Sequence, residues 1–190
     1  MSPSTQPAAK TPAPILVLGW GNLSRGDDAL GPACVAALQA QLPVHWRDQV
    51  EFLDDYQLQV EHALDLVGRQ RVLLVDASLD CAAPFEVGTV QARRDTSYTS
   101  HALSAQALLQ VFEDLQGHAA PPVTLLAIRG EAFELGEPMS PAAQSHLAAA
   151  VGWALGWLGC AESKGFGRFT QDSRWITPPI PPQIARRFCP

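Results

Sequence analysis

Short runs of consecutive apolar residues recur along the chain and predict buried strands. Three of them, Ile15–Leu18, Val72–Val75 and Val123–Ile128, are apolar at nearly every position. A strand of this kind is buried on both faces, as in a parallel sheet. The segments Val50–Leu53 and Glu86–Ala92 predict two further strands, and the alternation in the second indicates an edge strand.

Between these runs the apolar residues follow a helical spacing. The pattern predicts helices over Ala29–Leu42, Gln57–Val67 and Ala102–Leu115, and a last helix that begins at Ser140-Pro141 and ends near Leu158. Strands that alternate with helices of this length are typical of α/β proteins. We therefore predict a doubly wound, mostly parallel, twisted sheet with helices on both faces, a three-layer sandwich.

Prolines are concentrated near the two ends of the 190-residue chain and predict irregular segments there. We expect a flexible leader over residues 1–14, an α/β domain over 15–159, and an irregular extension over 160–190. The extension carries four aromatic residues and five basic residues against two acidic ones. A solvated tail has few apolar side chains, so we expect it to pack on the acidic domain.

Charge and composition narrow the function. Thirteen Lys and Arg stand against nineteen Asp and Glu, a net charge of −6, which disfavours a nucleic-acid binder. No apolar run reaches the length of a membrane span. The four cysteines contain no CxxC pair, which argues against a zinc knuckle or a disulfide framework. We expect a cytoplasmic protein with reduced thiols, and a monomer.

The first predicted strand leads into a glycine-rich loop over Gly19–Gly31. Such a loop invites a dinucleotide-binding interpretation, but Asp27 and Asp28 stand where a pyrophosphate would have to approach the helix. Two carboxylates would repel that ligand, so a nucleotide-binding enzyme is disfavoured. The simplest alternative is that Asp27 caps the next helix and that Asp28 complements its dipole.

Two more candidate ligands follow later strands. Asp76 comes directly after the buried run Val72–Val75, and His101 lies between the predicted edge strand and the next helix. Taken singly, each is more simply a loop or capping residue. Together with Asp28 they would meet at the carboxyl edge of the sheet and form an open site for nickel, zinc or a similar ion.

The short sequence Glu61-His62 and the nearby Asp65 also carry polar groups of interest. They lie within the predicted helix over Gln57–Val67, where a solvated helix face explains them well. We therefore leave them out of the predicted site.

The order of these motifs resembles that of a known family. GWGN followed by GDDALG, then VLLVDA ending near Asp76, SHALS around His101, and LLAIRGEAF with GEPMSP before the last helix, are similar to the nickel–iron hydrogenase maturation proteases. The resemblance extends from about Ile15 to Leu158. The segment Asp54–Gln59 differs from the turn found in many relatives and is similar to the branch that serves soluble NAD-linked or bidirectional hydrogenases.

The resemblance implies an activity and a partner. These endopeptidases remove a C-terminal peptide from the hydrogenase large-subunit precursor after nickel insertion, and they are classed as aspartic-type or as metal-dependent. The carried-over trio is Asp28, Asp76 and His101, which would recognise the substrate's nickel transiently, with no permanent cofactor. Asp28 is one methylene shorter than the glutamate often found there. Asp27 and Asp55 are candidate supporting acids. The alternative is a non-catalytic maturation chaperone that binds nickel through the same trio.

Overall fold

A computed structural model of the chain describes residues 11–94 and 103–159. The strands are β1 (Ile15–Trp20), β2 (Val50–Asp55), β3 (Arg71–Ser78), β4 (Phe85–Val90) and β5 (Val123–Arg129), and the helices are α1 (Leu30–Gln41), α2 (Ala105–Gln116) and α3 (Pro141–Leu158). The leader up to residue 10, the extension over 160–190, and His101 lie outside the described residues.

The five strands form one sheet in the order β2-β1-β3-β5-β4. Every pair is parallel except β4 with β5, which is antiparallel and forms one edge. Four parallel strands thus end at the same side of the sheet, here named the carboxyl edge. The predicted α/β sheet is confirmed. The prediction that the fourth strand along the chain lies at an edge of the sheet is also confirmed.

Helices cover both faces, as predicted. On one face α1 and α3 pack over alternate strand residues such as Val17 and Val75. On the other face α2 and a short 3₁₀ turn over Val60–Ala63 pack over the intervening residues, among them Leu18 and Leu74. Alternation along a strand assigns each side chain to one of the two faces. The same alternation determines on which face of the sheet each polar residue after an apolar run lies.

The predicted helix over Gln57–Val67 is wrong. This part of the chain forms the turn Val60–Ala63 and further turns instead. The side chains that reach the core are Leu58, Ala63 and Leu66, whereas other apolar side chains of the segment, such as Leu64, are exposed. The connection is therefore held by single buried side chains.

All four parallel strands extend beyond their predicted ends, with β1 reaching Trp20 and β5 reaching Arg129. β2 continues through Asp54 to Asp55, and β3 continues past Asp76 to Ser78. The predicted end of β3 at Asp76 is wrong because pairing with β5 carries on, with Asp76 opposite Ala127. Pairing of β3 with β1 stops one residue earlier, at Gly19 and Val75.

The C-terminal end of α3 is fastened to the start of β3 by a single arginine. Arg71 Nη1 donates to the Trp157 carbonyl oxygen at 3.0 Å, and Nη2 donates to the Leu158 carbonyl oxygen at 3.2 Å. Its guanidinium carbon also lies 4.4 Å from the centroid of the Trp157 ring. The last carbonyls of a helix have no partner within the helix, so this side chain caps α3 and joins it to the sheet.

We expect Arg71→Leu to lower the free energy of unfolding by about 2–3 kcal/mol, because two charge-assisted hydrogen bonds and a cation–π contact are lost together. Urea denaturation followed by circular dichroism measures the change. The matched control is Arg94→Leu, whose ion pair with Asp114 is exposed and should change stability by no more than about 0.5 kcal/mol. Equal effects of the two substitutions would contradict the capping role.

Candidate functional site

Three side chains lie on one face of the sheet at the carboxyl edge, those of Asp55, Trp20 and Asp76. Asp55 is the last residue of β2 and pairs with Trp20, the last residue of β1. On the other side of Trp20, Asp76 is the first residue of β3 beyond the pairing with β1. The core contacts of Leu53, Trp20 and Leu74 assign all three positions to the face covered by α2.

The first residues of α2 lie toward the same edge. The helix ends at Gln116 and leads through Gly117 into β5, which starts at the opposite edge of the sheet. Its start, where Ser104 caps the helix by accepting from the Ala107 amide at 3.1 Å, is therefore on the carboxyl-edge side. His101 precedes this start in the sequence by only a few residues.

The loop after β1 carries Asp28 to this edge. The Asn22 amide donates to Asp28 Oδ2 at 3.1 Å, which closes the loop on itself. Gly21 has a φ of +142°, and a Cβ there would lie 1.9 Å from the Asp28 carbonyl oxygen. Gly31 is equally constrained, because a Cβ would lie 2.2 Å from the Trp20 carbonyl oxygen. The glycines thus allow close packing of the loop on β1.

Asp27 does not cap α1, contrary to the simplest sequence interpretation. No side chain caps that helix, and the Asp27 carboxylate is fully buried. It accepts four hydrogen bonds from the connection between β5 and α3: from the Glu131 amide at 2.7 Å, the Ala132 amide at 3.0 Å, the Ser140 amide at 2.7 Å and the Ser140 hydroxyl at 3.0 Å. The side chain therefore fastens two loops together.

The environment of Asp27 favours its charged form. Burial alone would raise the pKa, but the hydrogen bonds from Glu131, Ala132 and Ser140 outweigh burial and lower the pKa of Asp27 below its usual value. Both carboxylate oxygens are occupied. A carboxylate held in this way is a poor proton acceptor.

Asp76 has the opposite environment. Burial, with a smaller contribution from the negative charge of Asp28, raises the pKa of Asp76 to about 7. Hydrogen bonds from the Ala77 backbone and the Trp20 side chain only partly oppose this rise. A half-buried carboxyl group beside a second carboxylate forms a place where a cation would be stabilised.

Asp55 is held beside a buried histidine. His62 is 9% exposed, and its Nε2 lies 3.3 Å from Asp55 Oδ2. The other carboxylate oxygen of Asp55 accepts from the Tyr56 amide at 2.6 Å. The Tyr56 hydroxyl accepts from the Asn22 side-chain amide at 3.0 Å, which links β2 to the loop that carries Asp28.

An open cavity of about 610 Å³ adjoins this loop. Arg25 on its wall is oriented by a hydrogen bond from Nε to the Phe133 carbonyl oxygen at 2.8 Å. The lining of the cavity consists of Asn22, Arg25, Tyr56, Phe133, Glu134 and Leu135.

Of the predicted trio, the structure brings Asp28 and Asp76 together, and His101 lies outside the described residues. Within residues 11–94 and 103–159, no three His, Cys, Asp or Glu side chains are arranged to hold a metal ion. The predicted metal site therefore remains a prediction. No helix in these ranges has the length and hydropathy needed to cross a bilayer.

Sequence reasoning left out His62 and did not foresee the role of Ser140 as a partner of Asp27. The predicted helix over Gln57–Val67 concealed His62, because it assigned that residue to a solvated helix face. Cys34 packs in the core, and burial raises the pKa of its thiol to about 12.

No protein-family model matches the sequence, and no curated protein is significantly similar to it. Its structural neighbours are hydrogenase maturation proteases. The maturating endopeptidase HybD of Escherichia coli superposes with a TM-score of 0.62 at 26% identity, over 76% of this chain and 91% of HybD.

Two further neighbours are more distant in sequence. The maturation protease HycI of Thermococcus kodakarensis has a TM-score of 0.60 at 18% identity, over 80% of this chain and 95% of its own. A hydrogenase 2 maturation peptidase of a Thaumarchaeota archaeon has a TM-score of 0.55 at 23% identity, over 77% and 99%. At these lower identities the likeness shows a shared fold.

We expect Asp27→Asn to lower the free energy of unfolding by about 3–5 kcal/mol, because a buried amide group would face backbone donors that now bind a carboxylate. Chemical denaturation at pH 7 measures the loss. The exposed Asp54 provides the matched control. Asp54→Asn should leave stability nearly unchanged, and a similarly small effect of Asp27→Asn would contradict the fastening role.

The raised pKa of Asp76 predicts a pH-dependent stability. The folded state binds its proton more tightly than the unfolded state, so the free energy of unfolding should fall as pH rises from 3.8 to about 7. Asp76→Asn should remove this contribution and gain roughly 1–3 kcal/mol relative to wild type above pH 7, less than the full linkage value because the site is partly exposed. Urea denaturation in the presence of a chelator, from pH 4 to 8, gives both profiles. Parallel profiles would rule out the shift.

Proposed function

We propose that the protein is an endopeptidase that removes the C-terminal peptide of a nickel–iron hydrogenase large-subunit precursor after nickel insertion. One observation carries the proposal: Asp28 and Asp76 are brought together at the carboxyl edge of a fold shared with the E. coli maturating endopeptidase HybD. Ligand sites of open α/β sheets lie at that edge. The segment Asp54–Gln59 supports the branch that serves soluble NAD-linked or bidirectional hydrogenases.

In this proposal, the nickel belongs to the substrate. Asp28, Asp76 and His101 recognise it, and no permanent cofactor is needed. Carboxylates and an imidazole are suitable nickel ligands, and a cation offsets the repulsion between Asp28 and Asp76. A precursor without nickel leaves that repulsion in place. The trio therefore distinguishes a finished metal centre from an unfinished one.

Nickel binding also positions the peptide bond for hydrolysis. A precursor held by its metal centre presents its C-terminal segment at a fixed distance from the edge, and the cavity beside Arg25 has room for that segment. The alternative role, a chaperone that binds the metal centre without cleavage, uses the same recognition but needs no proton acceptor.

Asp55 is the better candidate for the proton acceptor. Asp27 is fully engaged in four hydrogen bonds, whereas Asp55 keeps a side chain that is 35% exposed at the edge. Asp55 takes a proton from water while the water oxygen bonds to the scissile carbonyl carbon. When the C–N bond breaks, the proton passes to the leaving amine. This step is of the aspartic type.

The decisive experiment uses intact-mass analysis of a large-subunit precursor from the same organism, prepared with and without nickel. The expected result is loss of the C-terminal peptide from the nickel-loaded form alone when the protein is added. Stable binding of the loaded precursor without a change of mass would support the chaperone instead. The absence of both binding and cleavage would overturn the proposal. The monomeric state and the cytoplasmic location stay predictions.

We expect Asp28→Ala, Asp76→Ala and His101→Ala each to reduce processing of the loaded precursor by at least about 100-fold, because one ligand of the substrate's metal is lost. Circular dichroism should show a folded protein in each case. The exposed Asp80 gives a matched control, and Asp80→Ala should process normally. Normal processing by the Asp76 or His101 variant would contradict the assignment.

A further inference from the structure

His62 is a buried titratable side chain next to the candidate base, and the trio does not use it. It lies in the turn Val60–Ala63, which packs against α2 on the same face of the sheet as Asp55 and Asp76. Its two ring nitrogens point to different partners. Nδ1 receives a hydrogen bond from the Gln59 amide at 2.9 Å, and Nε2 faces Asp55.

These contacts determine where the ring carries its proton. A backbone N–H can only donate, so Nδ1 must present its lone pair to Gln59. The proton of the neutral ring is then on Nε2, the nitrogen that faces Asp55 Oδ2 at 3.3 Å. The ring can donate to Asp55 but cannot accept from it. His62 is therefore suited to orienting a carboxylate and unsuited to acting as the base itself.

The remaining contacts of Asp55 show what this orientation achieves. Oδ1 accepts from the Tyr56 amide, and His62 holds Oδ2 from the side of the core. The carboxylate is thus directed by two donors, while its exposed side stays toward the carboxyl edge. The 3.3 Å contact is long for a hydrogen bond, and such contacts commonly shorten when substrate binds.

We propose that His62 is a positioning residue that holds Asp55 in the orientation needed to accept a proton from water, an inference that rests on the proposed function. His62 acts through Asp55 and touches neither nickel nor peptide. A purely structural role would instead be limited to the turn, where His62 accepts the Gln59 amide and closes a capping box. The two roles predict different results when Asp55 is removed.

The experiment compares His62→Leu with His62→Gln, using the nickel-loaded precursor as substrate. Leucine fills the space but has no donor or acceptor, whereas glutamine keeps one of each. We expect His62→Leu to lower kcat about 10- to 100-fold with KM nearly unchanged, and His62→Gln to recover most of the loss. The control is His118→Leu, an exposed histidine after α2 at the opposite edge, which should leave both constants unchanged.

A double-mutant cycle separates positioning from structure. In an Asp55→Ala background, His62→Leu should have no further effect on kcat, while any loss of stability should persist. An unchanged kcat for His62→Leu in the wild-type background, or the same loss in both backgrounds, would overturn the proposal. If the wild type does not cleave the precursor, the proposed function itself fails. If the wild type cleaves and His62→Leu cleaves equally well, only the role of His62 fails.

A second measurement needs no substrate and does not depend on the folding of a variant. Nitrogen-15 NMR of the histidine side chains in the wild-type protein should show His62 with a protonated Nε2 and an unprotonated Nδ1. A proton on Nδ1 would be incompatible with the Gln59 contact and would overturn the proposal.

Discussion

The geometry of the candidate site depends on the buried carboxylate of Asp27. A charge removed from water is costly unless hydrogen bonds replace its hydration, and here four donors from the connection between β5 and α3 do so. The backbone adds to this link, since the Asp27 amide donates to the Ala132 carbonyl oxygen at 2.7 Å. Gly130 permits the approach, because a Cβ there would lie 2.9 Å from the Asp27 Cβ. The loop that carries Asp28 is therefore as firmly placed as the sheet.

Asp27 and Asp76 illustrate how environment separates a structural carboxylate from a candidate functional one. Asp27 is fully buried and surrounded by donors, whereas Asp76 is half-buried and lies near the charge of Asp28 with little compensation. The first arrangement stabilises the fold. The second destabilises the charged form and is retained at a place where a ligand can supply the missing positive charge. Asp76, whose pKa is raised, thus indicates the candidate site more clearly than Asp27, whose charge is satisfied by hydrogen bonds.

Sequence reasoning succeeded where the signal is local. Runs such as Ile15–Leu18 predict buried strands because full burial requires apolar residues at every position. It failed at Gln57–Val67, where isolated core contacts of Leu58, Ala63 and Leu66 replace a helical stripe. It also took Asp27 for a helix cap, since its partner amide at Glu131 is 104 residues away. Such a contact exists only after the sheet has brought β1 and β5 into one layer.

The same electrostatics connect recognition to chemistry. Asp28 acts electrostatically on Asp76, and Asp55 lies on the other side of Trp20, so three carboxylates lie at one edge of the sheet. Phosphates would be repelled there, which disfavours the nucleotide interpretation on physical grounds. In the proposed function, a substrate that brings its own cation to Asp28 and Asp76 would relieve the repulsion, and Asp55 would act as the proton acceptor. Metal recognition and proton acceptance can then be divided between carboxylates that differ only in their neighbours. Those neighbours are Trp20, His62 and the loop that Asp27 holds in place.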